Sequence, residues 1–255
     1  MANWTHFHLI RIEFLGYRYH GWMKQPGLKT IHQMIDKTLL FILGHENFKT
    51  LGCSRTDAKV SAEDFAFELF TMETFELPKL LQLLNTNLPN DIRAKSISKV
   101  NSSFNIIQDV RVKEYHYHFT FGDRPHPFNA PTIHYFSENL DINLMKEAAG
   151  IFKGTHCFKR YVSKPSAGTQ FDREILISEV VQNKESGLKQ AYYFRIASTG
   201  FMRYQVRLMM GSLLDVGQGV ISLEQLKESL EDSDKPPMFR IAPSSGLRLH
   251  RVTFK

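Results

Sequence analysis

Apolar and polar residues alternate in two stretches of the first third of the chain. In residues 7–16 Phe7 and Leu9 alternate with the residues between them, and the stretch ends at Gly16. Residues 64–70 alternate three large apolar side chains with Ala, Glu and Phe. A period of two places successive side chains on opposite faces of a strand. Both stretches are therefore predicted to be β-strands.

Capping residues indicate two helices in the same part of the chain. Thr30 and Gln33 fit a capping box, and Gly44 fits a C-terminal stop. The apolar residues between them recur at helical spacing. Pro78 opens a leucine-rich stretch, and proline is favoured in the first turn of a helix. The sequence thus predicts one helix between Thr30 and Gly44 and a second from Pro78.

The second half repeats this order of elements. Residues 113–121 place four aromatic side chains on one face of a predicted strand, residues 140–154 form a predicted helix with Asp141 as N-cap, and residues 191–199 read as a strand that leads into a helix over 201–216. These elements predict an α+β fold with largely antiparallel sheets. A duplication would explain the repeat, although the residue-level match between the halves is too thin to establish it.

Length and composition are typical of a globular protein. The 255 residues suit one large domain or two smaller ones, and 42% are hydrophobic and 23% charged. The longest apolar run, residues 39–43, is far too short to span a membrane, and the polar residues near the start make a poor signal peptide. Two cysteines without a C-x-x-C favour a reducing cytoplasm. The net charge of +6 suggests a polyanionic partner.

Charged residues in two places could carry chemistry. Arg55 and Asp57 stand two apart in the polar stretch 54–62, where a plain surface turn is the alternative explanation. Arg207 lies at the edge of the apolar stripe of the last predicted helix, where an arginine can extend to water. Alternatively, Gly211 opens room and Arg207 turns inward to hold a buried carboxylate. A buried charge needs a partner, and Asp57 is the best candidate.

Sequence patterns for cofactor and metal sites are missing. Two pairs of histidines, at 6 and 8 and at 116 and 118, lie two apart on predicted strands, but no carboxylates or cysteines at metal-ligand spacing accompany them. Neither of the glycine-rich phosphate-binding motifs occurs. We therefore expect no metal and no nucleotide cofactor.

Six segments, in order, resemble the tRNA pseudouridine synthases of the TruA type. The stretch at 54–62 is similar to the catalytic G-R-T-D-A-G-V-H-A of that family. The others resemble its opening tyrosine, glycine and tryptophan pattern, a helix exit, the strand with the active-site tyrosine, the G-x-H-D-F region and the arginine-bearing helix. The segments read YRYHGWMKQ, SRTDAKVSA, LNTNLPNDIRAKSISKV, KEYHYHF, LMKEAAGIFKGTHCFKRY and FMRYQVRLMMGSLLDVGQG.

The resemblance implies a fold and an activity. The fold would be two ferredoxin-like halves around a central basic cleft, here residues 1–104 and 105–255, in a cytoplasmic homodimer that needs no cofactor. The activity would be isomerisation of uridine to pseudouridine in tRNA, at positions 38–40 of the anticodon stem-loop. The alternatives are a catalytically weak RNA-binding or tRNA-folding protein, and a synthase for another RNA.

The resemblance also implies roles for single residues. Asp57 would be the nucleophile, Tyr115 would stack on the target base and could assist proton removal, and Arg207 would pair with Asp57. Lys59 stands where the family has glycine, so a positive φ at this position would strain it. The residues predicted to contact RNA are Arg55, Lys59, Tyr17, Trp22, Lys24 and Arg203.

Overall fold

The chain divides into two compact units in a computed structural model that describes residues 4–231, 235–238 and 240–255. Unit 1 comprises Met1–Arg111 and Leu249–Lys255, and unit 2 comprises Val112–Arg248. The predicted boundary at 104/105 falls earlier than the observed one because the loop before Arg111 packs onto unit 1, where Ile106 is completely buried. The return of the last residues to unit 1 was not predicted.

Unit 1 has the ferredoxin-like element order. Its strands pair antiparallel in the order β4-β1-β3-β2, and β10 also pairs with β3. This order and the β-α-β-β-α-β succession are those of the split βαβ motif. The elements are β1 (His6–Phe14), α1 (Ile31–Leu43), β2 (Phe48–Gly52), β3 (Ser61–Thr71), α2 (Leu77–Asn87), β4 (Ile92–Val100) and β10 (Leu247–Phe254).

Local signals in the sequence explain the first helix of unit 1. The hydroxyl of Thr30 accepts a hydrogen bond from the Gln33 N–H at 3.3 Å, and Gly44 ends α1 with a φ of +74°. Both ends therefore form as predicted. The core of the unit contains fully buried apolar side chains from the sheet and from α1 and α2: Ile10, Ile12, Phe65, Phe67, Ile35, Leu39, Leu80 and Leu84.

Unit 2 repeats this arrangement with additions. The succession β5-α3-β8-β9-α4 with strand order β5-β9-β8 matches β1-α1-β2-β3-α2 with β1-β3-β2. Strand β7 extends the sheet antiparallel to β8, and β6 pairs parallel with β5. The elements are β5 (Val110–Phe121), β6 (His134–Phe136), α3 (Ile142–Ile151), β7 (Gly154–Cys157), β8 (Asp172–Gln182), β9 (Ala191–Ser198), α4 (Gln205–Gly217) and α5 (Leu223–Glu231). The α+β class and the repeated order are thus confirmed.

The helices of unit 2 begin where their caps allow. One oxygen of Asp141 accepts the N–H groups of Asn143 and Leu144 at 2.9 and 3.0 Å, as expected of an N-cap. Helix α4 begins at Gln205, later than predicted, because Tyr204 before it adopts a left-handed conformation with φ +62°. Among the described residues, none of the helices is both long and apolar enough to cross a membrane.

Candidate active site

Asp57 lies in the loop that connects β2 to β3 in unit 1. Its carbonyl accepts the Val60 N–H at 3.2 Å, so a tight turn follows the carboxylate. Asp57 is half-buried, whereas its neighbours Arg55 and Lys59 are exposed. The two exposed cations are placed where a polyanion can reach them, and the carboxylate is more sheltered than in a free surface turn.

Lys59 is held in a conformation that favours glycine. Its φ is +68°, and its N–H donates to the Tyr19 carbonyl at 2.9 Å. Its ammonium lies over the ring of Tyr17, 5.6 Å from the centroid, and that ring is 41% exposed. A lysine therefore occupies a conformation that favours glycine, at a cost in strain of about 1 kcal/mol.

The segment 16–22 packs against the loop that carries Asp57. Gly21 has a φ of +80°, and a Cβ on it would lie 2.3 Å from the Thr56 carbonyl oxygen. A Cβ on Gly16 would lie 1.9 Å from the Val60 carbonyl oxygen. Distances below 3.0 Å do not occur for real Cβ atoms, so both positions require glycine. The backbone of this segment is thus packed directly against both ends of the turn.

Hydrogen bonds fasten the same segment. The Trp22 N–H donates to the Thr56 carbonyl at 3.3 Å. The hydroxyl of the buried Tyr19 donates to Asp91 at 2.6 Å, just before β4. Burial, together with the Asp91 carboxylate, raises the pKa of Tyr19 to about 12, so the hydroxyl stays protonated and remains a donor. The loop is therefore tied to the sheet through Tyr19 and Trp22.

Trp22 and Lys24, both predicted to contact RNA, differ in exposure. Trp22 is 1% exposed; its ring stacks on His32 with centroids 5.0 Å apart and packs on Phe65 at 4.3 Å. The prediction for Trp22 is wrong because its ring is part of the core. Lys24 forms an ion pair with Asp36, but it is exposed, and its contact with RNA stays a prediction.

A small polar network lies beneath Trp22. The Thr50 hydroxyl donates to Asp36 at 2.5 Å, so it must accept from the Nε2 of His32, 2.7 Å away. Burial lowers the pKa of His32, so the stacked imidazole is neutral at pH 7 with its proton on Nε2. Trp22 is therefore stacked on the His32 ring, and the hydrogen bonds from His32 to Thr50 and from Thr50 to Asp36 fix the orientation of that ring.

Unit 2 carries the other two predicted catalytic residues. Tyr115 lies on β5 opposite Ile196 of β9 and is 7% exposed. Its ring meets that of Phe201 edge to face, with centroids 5.4 Å apart. Phe201 begins the segment that leads into α4, so Tyr115 packs against the approach to the arginine-bearing helix.

Arg207 is half-buried in the first turn of α4 and is held by the backbone of Ala242. Its Nε–H donates to the Ala242 carbonyl at 2.7 Å, and its own carbonyl accepts the Ala242 N–H at 3.0 Å. Gly211 permits this contact, because a Cβ there would lie 1.8 Å from the Arg240 carbonyl oxygen. The expectation that Gly211 makes room for the Arg207 side chain is wrong: it makes room for the backbone at Arg240.

Each unit thus holds one part of the predicted chemistry. Unit 1 brings together Asp57, Arg55, Lys59 and Tyr17, and unit 2 brings Arg203 and Arg207 to one ring, that of Tyr204. The pairing of Asp57 with Arg207 stays a prediction. Sequence reasoning missed the roles of Tyr204 and Ala242. Ala242 acts through its backbone, so its side chain gives no signal in the sequence.

Comparison with known proteins places these features in context. A family model described as tRNA pseudouridine synthase matches residues 148–255. The chain is 35% identical to tRNA pseudouridine synthase A of Clostridium kluyveri over 95% of this chain and 97% of that protein. It is 32% identical to tRNA pseudouridine synthase A of Aquifex aeolicus over 96% and 98%. A solved Cbf5-Nop10-Gar1 complex aligns with 81% of this chain and 54% of its own at 15% identity, and its TM-score of 0.31 is too low to support an argument.

Proposed function

Because this chain belongs to the tRNA pseudouridine synthase family, we propose that it isomerises uridine to pseudouridine in the anticodon arm of tRNA, with Asp57 as the nucleophile. The similarity to curated synthases over nearly the whole chain carries the reaction itself. The turn that carries Asp57 is held in place by Gly16, Gly21 and Trp22. This favours Asp57 as the nucleophile, because a catalytic group must be held in a fixed position.

The reaction needs one well-placed carboxylate and no redox partner. The bond from N1 of uracil to C1′ of the ribose breaks, the base turns, and a bond from C5 to C1′ forms. The C5 proton is then lost and N1 gains one, so atoms and electrons balance without an external group. Asp57 can attack the sugar, attack the base or assist formation of a glycal. All three routes require that its carboxylate is ionised when the base is bound.

Arg207 is proposed to hold that carboxylate in its ionised form. An arginine beside a sheltered carboxylate favours the charged state and fixes its orientation through two parallel hydrogen bonds. The Nε of Arg207 is already engaged by the Ala242 carbonyl, which orients the guanidinium within unit 2. The ion pair would therefore stabilise the ionised carboxylate of Asp57, and no further hydrogen-bond donor would be needed.

Tyr115 is proposed to stack on the displaced uracil. A uridine that reacts at its base must leave the RNA stack and enter a pocket with an aromatic surface. The phenol could also take part in removing the C5 proton, although its ordinary pKa of about 10 makes it a weak base without help. Tyr115 keeps its edge-to-face contact with Phe201 as the support for either role.

RNA contacts are proposed for the exposed members of the predicted set. The exposed cations are Lys24, Arg55, Lys59 and Arg203. Tyr17 offers an exposed ring beside Lys59. Lysine and arginine contacts to phosphate release counterions, so affinity should fall steeply with salt. We further propose that the chain forms a homodimer and lies in the cytoplasm. Light scattering at micromolar concentration tests the homodimer, and the observation of monomer alone would contradict it.

The decisive experiment separates chemistry from binding. Tritium release from C5-labelled uridine in a tRNA transcript measures isomerisation, and filter binding measures affinity. Asp57→Asn keeps the shape and removes the nucleophile, so release should drop by several orders of magnitude while affinity changes little. Asp123→Asn, at an exposed position of unit 2, is the matched control and should remain active.

Two outcomes would contradict the proposal. A wild-type chain that binds tRNA tightly and releases no tritium would favour the RNA-binding alternative. An Asp57→Asn variant with wild-type activity would show that another group is the nucleophile. Transcripts that carry uridine at only one of positions 38, 39 and 40 then test the proposed target within the anticodon arm.

A further inference from the structure

Tyr204 adopts a backbone conformation that is costly for an aromatic residue. Its φ and ψ are +62° and +6°, in the left-handed region, at the residue before α4. Glycine and asparagine visit this region readily, whereas a bulky side chain there is an outlier. Strained residues of this kind persist where the surrounding structure determines them, and they concentrate at functional sites.

Three hydrogen bonds determine the conformation of the segment 202–205. The Gln205 N–H donates to the Met202 carbonyl at 3.1 Å, and the Gln205 side-chain oxygen accepts the Met202 N–H at 2.9 Å. The Arg203 carbonyl accepts the Ser163 N–H at 3.2 Å. Gln205 is completely buried, so one end of this turn is anchored in the packed interior. The turn thus fixes where the Tyr204 ring points.

The ring that this turn presents carries two arginines. The guanidinium carbon of Arg207 lies 4.8 Å from the centroid of the Tyr204 ring, and that of Arg203 lies 5.2 Å from it. Both distances are within the range in which a cation is attracted to an aromatic face. Within unit 2 the Ala242 carbonyl therefore contacts the Nε of Arg207, and the Tyr204 ring contacts its guanidinium.

We propose that Tyr204 is a positioning residue, whose ring holds the Arg207 guanidinium in the orientation that supports the nucleophile. The inference rests on the proposed function for its catalytic consequence. The carbonyl of Ala242 contacts the Nε end of the guanidinium, and the Tyr204 ring lies 4.8 Å from its central carbon, so the two contacts act on different parts of the group. The left-handed turn places the ring at this position. The strain at Tyr204 is then the cost of an oriented arginine.

A purely structural role for Tyr204 predicts the opposite result when the residue is replaced. Asparagine suits the left-handed conformation and lacks the ring, so Tyr204→Asn relieves strain and removes the support of Arg207. If the ring mattered only to folding, this variant would lose stability and keep its turnover rate. If the ring positions Arg207, the variant keeps or gains stability and loses turnover. Tyr204→Phe keeps the ring and should retain both.

The experiment combines two readouts on the full chain. The first is kcat for pseudouridine formation at saturating tRNA, with the free energy of unfolding in urea measured for each variant. The second is the Arg207 Nε–H signal in ¹H–¹⁵N spectra, assigned through Arg207→Lys. Lys164→Asn, at another left-handed position of unit 2 with φ +51°, calibrates the stability gained from relief of strain alone.

We expect Tyr204→Asn to lower kcat at least tenfold, to broaden or shift the Arg207 signal, and to unfold no more easily than the wild type. Tyr204→Phe should stay within about twofold of wild-type kcat. An unchanged Arg207 signal in Tyr204→Asn overturns the inference, and so does an unchanged kcat in an active enzyme. A wild-type chain that forms no pseudouridine refutes the proposed function instead, and the Arg207 signal then decides alone whether Tyr204 holds this side chain.

Discussion

Gly21 and Asp57 are packed backbone to backbone. A Cβ on Gly21 would lie 3.0 Å from the carbonyl carbon of Asp57 and 3.2 Å from its carbonyl oxygen. The two residues belong to different segments of unit 1, so the position of the proposed nucleophile depends on a glycine more than thirty residues earlier in the chain. A side chain at position 21 would therefore displace the turn that carries Asp57.

Gly21→Ala should displace the Asp57 turn. The new methyl group cannot fit beside Thr56, and φ +80° is strained for alanine, so we expect a loss of roughly 3 kcal/mol in unfolding free energy and a large drop in kcat. Gly27→Ala is the matched control, because Gly27 has a similar φ of +72° with nothing within 4 Å of its Cβ position. It should cost only about 1 kcal/mol and leave kcat unchanged. Equal effects of the two variants would show that backbone strain, and not contact with the turn, is responsible.

Gly211→Ala should disturb Arg207 through Arg240. The methyl group would overlap the Arg240 carbonyl, pushing away the segment that engages Arg207 through Ala242. We expect a loss of roughly 1–3 kcal/mol in unfolding free energy and a marked loss of tritium release. Gly150→Ala, in α3 with open space around it, should instead stabilise the protein by about 0.5–1 kcal/mol. A fully active Gly211→Ala enzyme would contradict the proposed role of this segment.

Lys59→Gly separates backbone shape from charge. Glycine relieves the strain at φ +68° but makes the unfolded chain more flexible, so the unfolding free energy should change by less than about 1 kcal/mol. The loss of one phosphate contact should weaken tRNA binding and reduce the slope of log K against log salt by about one. Lys59→Arg keeps the charge and should keep the slope. Identical slopes for the two variants would mean that Lys59 does not contact phosphate.

Glu68 predicts a pH dependence of stability. It is 1% exposed on β3, its Oε1 has no hydrogen-bond partner, and burial raises its pKa to about 7. The ordinary pKa of a glutamate is 4.5, so between pH 4.5 and 7 Glu68 keeps its proton in the folded chain and loses it in the unfolded chain. The free energy of unfolding therefore falls as pH rises through this range. Glu68→Gln removes the ionisable group and with it this loss of stability.

The Glu68→Gln variant should be more stable than the wild type above pH 7, by up to roughly 3 kcal/mol, and about equally stable near pH 4.5. Urea unfolding at pH 5 and pH 8 measures the difference. Glu147→Gln, at an exposed position of α3, should show no such dependence. A constant difference between Glu68→Gln and wild type at both pH values would show that Glu68 is not protonated in the folded state at pH 5.

The predicted elements were those with complete local signals. The helix capped by Thr30 and Gly44 formed where expected, because caps act within one turn and need no tertiary information. Strand β4 was missed, since it is an edge strand of which most residues are at least partly exposed and its sequence is polar. Strand β2 has only five residues, too few for a period to be recognised.

The sequence predicted which residue types form the candidate site better than it predicted the contacts that these residues make. The motif around Asp57 identified the carboxylate, but Trp22 next to a glycine could equally have faced RNA or the core, and only the stack on His32 decides. The left-handed Tyr204 was not predictable, because tyrosine rarely adopts that conformation. Two local hydrogen bonds between Met202 and Gln205 and one from the distant Ser163 hold it, and the sequence pattern does not show this combination.

The course of β10 has a consequence for how the protein is made. The chain leaves unit 1 at Arg111 and returns to it at Leu249, so unit 2 is an insertion within unit 1. During synthesis unit 2 can fold while unit 1 still lacks β10, which pairs with β3 in addition to β1 and β2. Unit 1 is completed only when residues 249–255 have left the ribosome, and a chain released before that point would expose the free edge of β3. The protein therefore cannot be cut into two contiguous fragments that each contain a whole unit. Unit 1 alone requires a shortened chain in which residues 249–255 are joined to the start of β1 and which ends at Arg111.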